Sequence, residues 1–320
     1  MNYLLYLSFG NNLRIECELA YSLISLDRVS SAWSKEHINI TIFSDKELEI
    51  PKELKGWDIN FKILSDAKKN EIIKKYNNHV HVLKPWVLND FFKKHNGNVM
   101  LMDTDTFFIH DPKPLFESIA KGKLILHLKE DSLIHRSAIW KYVKEKELTD
   151  SSGNSFKINQ DCKMWNSGVV GLNYSKASII KDVLSMIAQV SNDPQWPQLE
   201  FNLIEQTSFS YFFQNENCIS VADSFVIHYW FFKPFRLMLA AYYNSFYKNE
   251  EIQLMKFLKE SKMQKEDFVE IKKDDDLPSF MFKKMKLYPG IHWTLFLDLP
   301  ASSFIGKKLR EEFVEELEGL

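Results

Sequence analysis

The chain has 320 residues, 45% of them hydrophobic and 14% aromatic, which is enough apolar material for one large domain or a domain with an appendage. Charged residues make up 26% and the formal net charge is −2, which excludes a disordered charged tail and a basic nucleic-acid binder; an anionic ligand must be met by local cations or a metal. Three cysteines, Cys17, Cys162 and Cys218, are widely separated with no CxxC pair, so neither a disulfide framework nor a zinc ribbon is expected and a reducing compartment is.

Residues 3–9 form a short apolar run that reads as a first strand. The run lacks a basic flank and a small-residue cleavage site, so it does not read as a signal peptide, and a cytoplasmic setting is expected. Asn11 and Asn12 can start a helix in which Ile15, Leu19, Leu23 and Leu26 recur at helical spacing. Residues 38–43 (INITIF) read as a second strand ending at Ser44 and Asp45, and residues 58–64 as a third. A charged helix is expected over 66–76 and another over 83–94, stopped by Asn96 and Gly97. Residues 98–102 then form an apolar strand.

Further along, residues 124–128 and 169–173 read as strands. Ser175 is placed to cap a helix carrying Ile179, Ile180, Val183, Leu184 and Ile187. A helix over 201–213 and a last strand over 219–229 complete an alternation that predicts an α/β fold, a mostly parallel sheet flanked by helices. Beyond residue 235 the pattern becomes helical without clear strands, which predicts a C-terminal helical appendage over 235–320. Its aromatics Phe235, Tyr242, Tyr243, Phe246 and Tyr247 suit a core or a contact with a glycan or lipid headgroup. No run reaches the length of a membrane span; residues 225–247 are interrupted by His228, Lys233 and Arg236.

The stretch NVMLMDTDTFFIHDP, residues 98–112, delivers Asp103 and Asp105 to the end of its strand. Ligands of open α/β sheets bind beyond the carboxyl ends of the strands. Residues i and i+2 of an extended chain point the same way, so the two carboxylates repel unless a cation sits between them. A hard divalent ion meets that need, Mn²⁺ or Mg²⁺ shared with substrate phosphates. A strand-end DxD occurs in two enzyme classes. One is the haloacid-dehalogenase-like phosphohydrolases, whose DxDxT pattern lies near the N-terminus; here position 107 is Phe and about a hundred residues of βα pattern come first. The other is the nucleotide-sugar glycosyltransferases of the GT-A fold, where a nucleotide-binding βα region precedes the motif, as here.

Several short stretches, in order from Tyr3 to about Phe235, resemble the GT-A glycosyltransferases, and within them the glycogenin and bacterial lipopolysaccharide galactosyltransferase family (glycosyltransferase family 8). VMLMDTDTFFIHDP resembles that family's metal motif, which implies that Asp103 and Asp105 bind Mn²⁺ and that the Asp103–Thr104 end meets the nucleotide. WNSGVVGLN resembles its F-N-S-G-V strand, implying that Asn166 binds the donor sugar and Gly168 lets the backbone come close. Lys84 stands where the family has a basic residue near the donor. IEQTSF resembles its D-Q segment, with Glu205 for the Asp and Gln206 retained. IHYWFFKPF resembles H-x-x-G-x-x-K-P-W: His228, Lys233 and Pro234 are kept, the Gly is absent and Phe235 ends the segment.

The resemblance implies a catalytic GT-A domain over 1–234, Rossmann-like, that moves a sugar from a nucleotide diphosphate sugar, expected to be a UDP-sugar, to a glycan or glycolipid acceptor in polysaccharide biosynthesis. It implies a metal held by Asp103, Asp105 and His228, a second cation at Lys233, and sugar orientation by Asn166, Glu205, Gln206 and Lys84. Retention of anomeric configuration is implied as well; an inverting enzyme would need a base, with Glu205 the first candidate. Ser8, Phe9 and Asn12 are the expected base and ribose contacts, with Asp45 nearby. A glycolipid acceptor would suit a peripheral contact with the inner face of a membrane. A catalytically silent sugar-nucleotide or glycan-binding protein is the reading outside catalysis. The oligomeric state and the acceptor are not legible.

Overall fold

The computed structural model describes residues 1–10, 12–196 and 203–230. The expected appendage over 235–320 and Lys233 therefore lie outside the described residues. Strand β1 (Asn2–Ser8) leads into helix α1 (Leu13–Val29), and a short α2 (Ala32–His37), capped by the Ser31 side chain, precedes β2 (Ile38–Ser44). Next come β3 (Asp58–Ile63), α3 (Asp66–Lys74), α4 (Leu83–Phe92), β4 (Asn98–Met102), β5 (Thr106–Phe108) and α5 (Lys113–Ala120). Then follow β6 (Leu124–Leu126), β7 (Lys129–Ser132), α6 (Ser137–Val143), β8 (Leu148–Thr149), β9 (Ser155–Phe156) and β10 (Lys163–Trp165). The described fold closes with β11 (Val169–Asn173), α7 (Ser178–Ser191), α8 (Ile204–Asn215), β12 (Ile219–Val221) and β13 (Val226–His228).

Seven strands form one sheet in the order β12-β6-β11-β4-β1-β2-β3. All pairs are parallel except those made by β11, which runs against both β4 and β6. The expected α/β class, a mostly parallel sheet flanked by helices, is what the chain adopts. Side chains of a strand alternate between faces, and both faces are apolar here, as parallel sheets require. Tyr3 and Leu5 of β1 pack with Ile72, Val87, Phe91, Val183 and Phe209 from α3, α4, α7 and α8. Leu4 and Tyr6 pack on the other face with Leu19, Leu23 and Leu26 of α1 and Phe116 and Ile119 of α5.

Three expectations change. The helix after β11 is not capped by Ser175: the Asn173 side chain accepts from the Ser175 N–H to open a 3₁₀ turn, and α7 begins only at Ser178. An Asn at the strand end reaches its own backbone two residues on, which anticipates the serine. The single strand expected over 219–229 is two. The chain turns where Phe225 and Val226 donate to the Ala222 carbonyl, so β12 edges the main sheet while β13 pairs antiparallel with β5, His228 opposite Thr106. Gly97 lies beyond the end of α4 rather than at its cap. Its φ of +141° and the Met1 carbonyl oxygen, which would sit 2.4 Å from any Cβ, require a glycine there. No helix among the described residues is long and apolar enough to cross a membrane.

Leu5 is fully buried at the centre of β1, between two paired strands. Leu5→Ala should cost about 2–5 kcal/mol of unfolding free energy by urea titration, since the neighbouring strands cannot collapse into the cavity.

Candidate functional site

The site forms where the strand directions oppose. Tyr6 of β1 pairs with Met102 of β4, so the Asp103–Asp105 segment leaves β4 beside Ser8 at the end of β1. Val169 of β11 pairs with Met102 from the opposite direction, and the Asp103 N–H donates to the Gly168 carbonyl at 2.9 Å. An antiparallel strand starts where its neighbour ends, so Asn166, Ser167 and Gly168 stand against the aspartates. The β5–β13 ribbon supplies the third group: the Tyr229 N–H donates to the Asp105 carbonyl at 3.1 Å, and the His228 ring is set next to the carboxylates.

Asp103, Asp105 and His228 each offer one ligand atom, and these atoms all lie within 4.8 Å of one another. His228 Nε2 is 3.2 Å from Asp105 Oδ1 and 3.8 Å from Asp103 Oδ2. Two carboxylates and one imidazole are a fitting donor set for a hard or borderline divalent ion, and the ring is buried while the aspartates are half-buried. The fold thus brings together the three residues expected to hold the metal. Thr104, between the aspartates, is half-buried.

Lys84, on α4, points its ammonium at Asp103 Oδ2 (2.7 Å), the Ser167 carbonyl (3.3 Å) and Glu205 Oε1 (3.9 Å). Burial alone would favour the neutral amine, yet Asp103 and Glu205 more than offset it and hold Lys84 above its ordinary value, so it is charged throughout the physiological range. Glu205, 2% exposed at the start of α8, accepts from the Ser167 hydroxyl at 3.1 Å. Burial pushes its carboxyl up to about 7, against the pull of Lys84. Only Oε2 takes the Ser167 bond; Oε1 is buried with no hydrogen-bond partner and has the Lys84 ammonium 3.9 Å away, so the carboxyl acts on the site through the lysine.

The carboxylate that the sequence reading overlooked is Glu130, on β7. Its Oε1 accepts from Asn166 Nδ2 and its Oε2 from Gln206 Nε2, both at 2.9 Å, with an Arg136 nitrogen 3.5 Å away. One carboxylate therefore holds both amides expected to orient a sugar. Nothing in the stretch KEDS marks it, because β7 is a short ribbon strand with β10 whose alternate residues are exposed. Asn166 is 4% exposed; its Oδ1 accepts from the Gly168 N–H at 2.9 Å and faces His228 Nδ1 at 2.8 Å. Both ends of this amide are thus engaged by the protein.

Ser8, Phe9 and Asn12 line a separate small pocket with Glu16, Asp45, Lys46 and Leu48, at the same edge of the sheet. Asp45 accepts from the Gly10 N–H and from Lys69, whose ammonium lies 5.0 Å over the Phe9 ring. The His127 ring packs edge-on at 5.6 Å against His228, and burial pulls its imidazole down to about 3, so a neutral ring backs the site.

No family model and no curated protein matches the chain. Among solved structures, mouse xyloside xylosyltransferase 1 in its apo form matches at 15% identity, over 69% of this chain and 85% of that one, with a TM-score of 0.40. At that similarity the match decides nothing about the chemistry here.

Glu205 makes a pH prediction. Its folded pKa is raised above the unfolded value, so its contribution to stability is complete below the ordinary carboxylate range and is lost as pH rises through about 7. In EDTA, from pH 5 to pH 8, the native protein should lose stability relative to Glu205→Gln, at up to about 1.4 kcal/mol per pH unit. Parallel urea-denaturation profiles for the two proteins would show that the carboxyl is ionised throughout.

Proposed function

We propose that the protein is a metal-dependent glycosyltransferase that takes a nucleotide diphosphate sugar, a UDP-sugar for preference, and transfers the sugar to a glycan or glycolipid. The observation that carries this reading is the convergence of Asp103, Asp105 and His228 at the carboxyl edge of the sheet, beside a pocket at the ends of β1 and β2. A divalent ion bound there supplies Lewis-acid neutralisation of a diphosphate leaving group. The residues around it have separate tasks. Phe9 and Asn12 offer an aromatic face and an amide to a base and ribose. Lys84 presents a fixed positive charge next to Asp103, suited to a hydroxyl or phosphate oxygen of the donor. Gln206 has its amide oriented by Glu130, ready to meet the sugar.

Reaction with retention fits this arrangement on our reading. An inverting enzyme needs a carboxylate base within reach of the acceptor hydroxyl. Glu205 is buried beneath Lys84 and is poorly placed for that task, while a departing phosphate oxygen can accept the proton itself. Lys233 would add a second cation to the diphosphate side. The cytoplasm, and the inner face of a membrane for a glycolipid acceptor, are the settings we propose.

UDP with Mn²⁺ should raise the melting temperature, and UDP with excess EDTA should do so far less; ligand at ~100 times its dissociation constant adds about 2.7 kcal/mol. Equal shifts in both conditions would remove the metal-bridged diphosphate. Release of phosphate from p-nitrophenyl phosphate would instead point to a phosphohydrolase.

Asp105→Asn should abolish transfer from the UDP-sugar while leaving the urea midpoint of the metal-free protein unchanged or raised. The carboxylate sits among other acids, so removing its charge relieves repulsion. A variant that fails to fold would make Asp105 a structural residue.

A further inference from the structure

The Asn166 amide can be oriented in only one way. The Gly168 N–H is a donor, so the atom it meets at 2.9 Å must be the oxygen; the Glu130 carboxylate is an acceptor, so the atom it meets at 2.9 Å must be the NH₂ group. The same oxygen faces His228 Nδ1 at 2.8 Å, and an oxygen at that distance requires a proton on Nδ1. A neutral imidazole carries one ring proton. With it on Nδ1, the lone pair falls on Nε2, the atom aimed at Asp105 and Asp103. Nδ1 is committed to Asn166, so Nε2 is the ring atom left for a cation.

Two further features hold this alignment. Asn166 is pinned on both sides by its own backbone, whose N–H donates to the Leu128 carbonyl at 2.8 Å and whose carbonyl accepts from the His127 N–H at 3.0 Å. At Gly168 an added Cβ would lie 2.2 Å from His228 Nδ1 and 2.5 Å from Cε1, so the ring can sit against the amide only because residue 168 has no side chain.

We propose that Asn166, seated by Glu130, is a positioning residue for the metal site: it fixes the tautomer and plane of His228 so that Nε2 is presented to a divalent cation. The Asn166-Ser167-Gly168 segment then serves the imidazole first, rather than the donor sugar. This inference rests on the reading of Asp103, Asp105 and His228 as a metal centre. Outer hydrogen bonds of this kind typically change metal affinity by roughly 10–100-fold.

The test uses the full chain with ¹⁵N-labelled histidine. In EDTA at pH 8, long-range ¹H–¹⁵N spectra should show a proton on His228 Nδ1, whether or not Nε2 also carries one beside Asp105, and in Asn166→Ala a ring with its proton on Nε2 alone should appear. Free Mn²⁺ measured by electron paramagnetic resonance, with and without UDP, should show affinity falling by roughly 10–100-fold in Asn166→Ala. The double variant Asn166→Asp with Glu130→Gln exchanges amide and carboxylate while keeping every donor–acceptor pair: the new carboxylate accepts from Gly168, His228 and the new amide, and that amide's oxygen accepts from Gln206. It should restore the Nδ1–H tautomer and most of the affinity, and it carries the test alone if Asn166→Ala does not fold. An Nε2–H tautomer in the native chain overturns the proposal. So does Mn²⁺ binding by Asn166→Ala at native affinity, or failure of the double variant to restore the tautomer. Failure of the native chain to take up Mn²⁺ with or without UDP overturns the metal centre itself, a result distinct from the others.

Discussion

One reversed strand organises the site. Of the seven strands in the sheet, β11 alone runs against its neighbours, and its first residues meet the last residues of β4 through the bond from the Asp103 N–H to the Gly168 carbonyl. A parallel strand in that place would have begun at the far edge. Because β11 is reversed, the loop that enters it arrives at the same edge as the chain that leaves β4. That shared edge sets Asn166 against His228, Ser167 against Glu205 and Lys84, and Gly168 against the imidazole.

The second constraint is charge. Asp103, Asp105, Glu130 and Glu205 gather in a small volume, where like charges repel and each needs a partner. The answers are local. Lys84 lies between Asp103 and Glu205, two amides and Arg136 surround Glu130, and Asp105 faces an imidazole. Buried ion pairs of this kind contribute little to folding, because desolvation consumes most of the Coulomb gain. On the proposed function their cost has a use, since fixed dipoles and charges need not reorganise when a charged ligand arrives.

The parts of this arrangement legible in the sequence were those written as local pattern. The apolar run into DTD announced a strand with carboxylates at its end, and βα alternation announced the parallel sheet. The His228 ring stands beside the aspartates for a reason the sequence does not show: the expected single strand breaks at Ala222, and a three-residue ribbon with β5 delivers the ring. Glu130 was invisible, since its importance comes from residues 36 and 76 positions away, and nothing in a charged tetrapeptide shows which partners will fold onto it. The motif marks Asn166, yet only the distances reveal that its amide faces a histidine and a glutamate. The Ser175 cap failed because Asn173, two residues earlier, captured the turn first.

The absent side chain at Gly168 also links two distant positions in the order in which they can change. With the His228 ring in place, the first carbon added at 168 would fall within 2.5 Å of two ring atoms. A lineage that keeps the imidazole in this pose is therefore held to glycine at 168. A lineage that has lost the imidazole is released, and its position 168 can drift. Regaining the ring afterwards takes two coordinated changes instead of one. The close contact works as a ratchet, and a descendant with a side chain at 168 will already have abandoned the histidine or this pose of it.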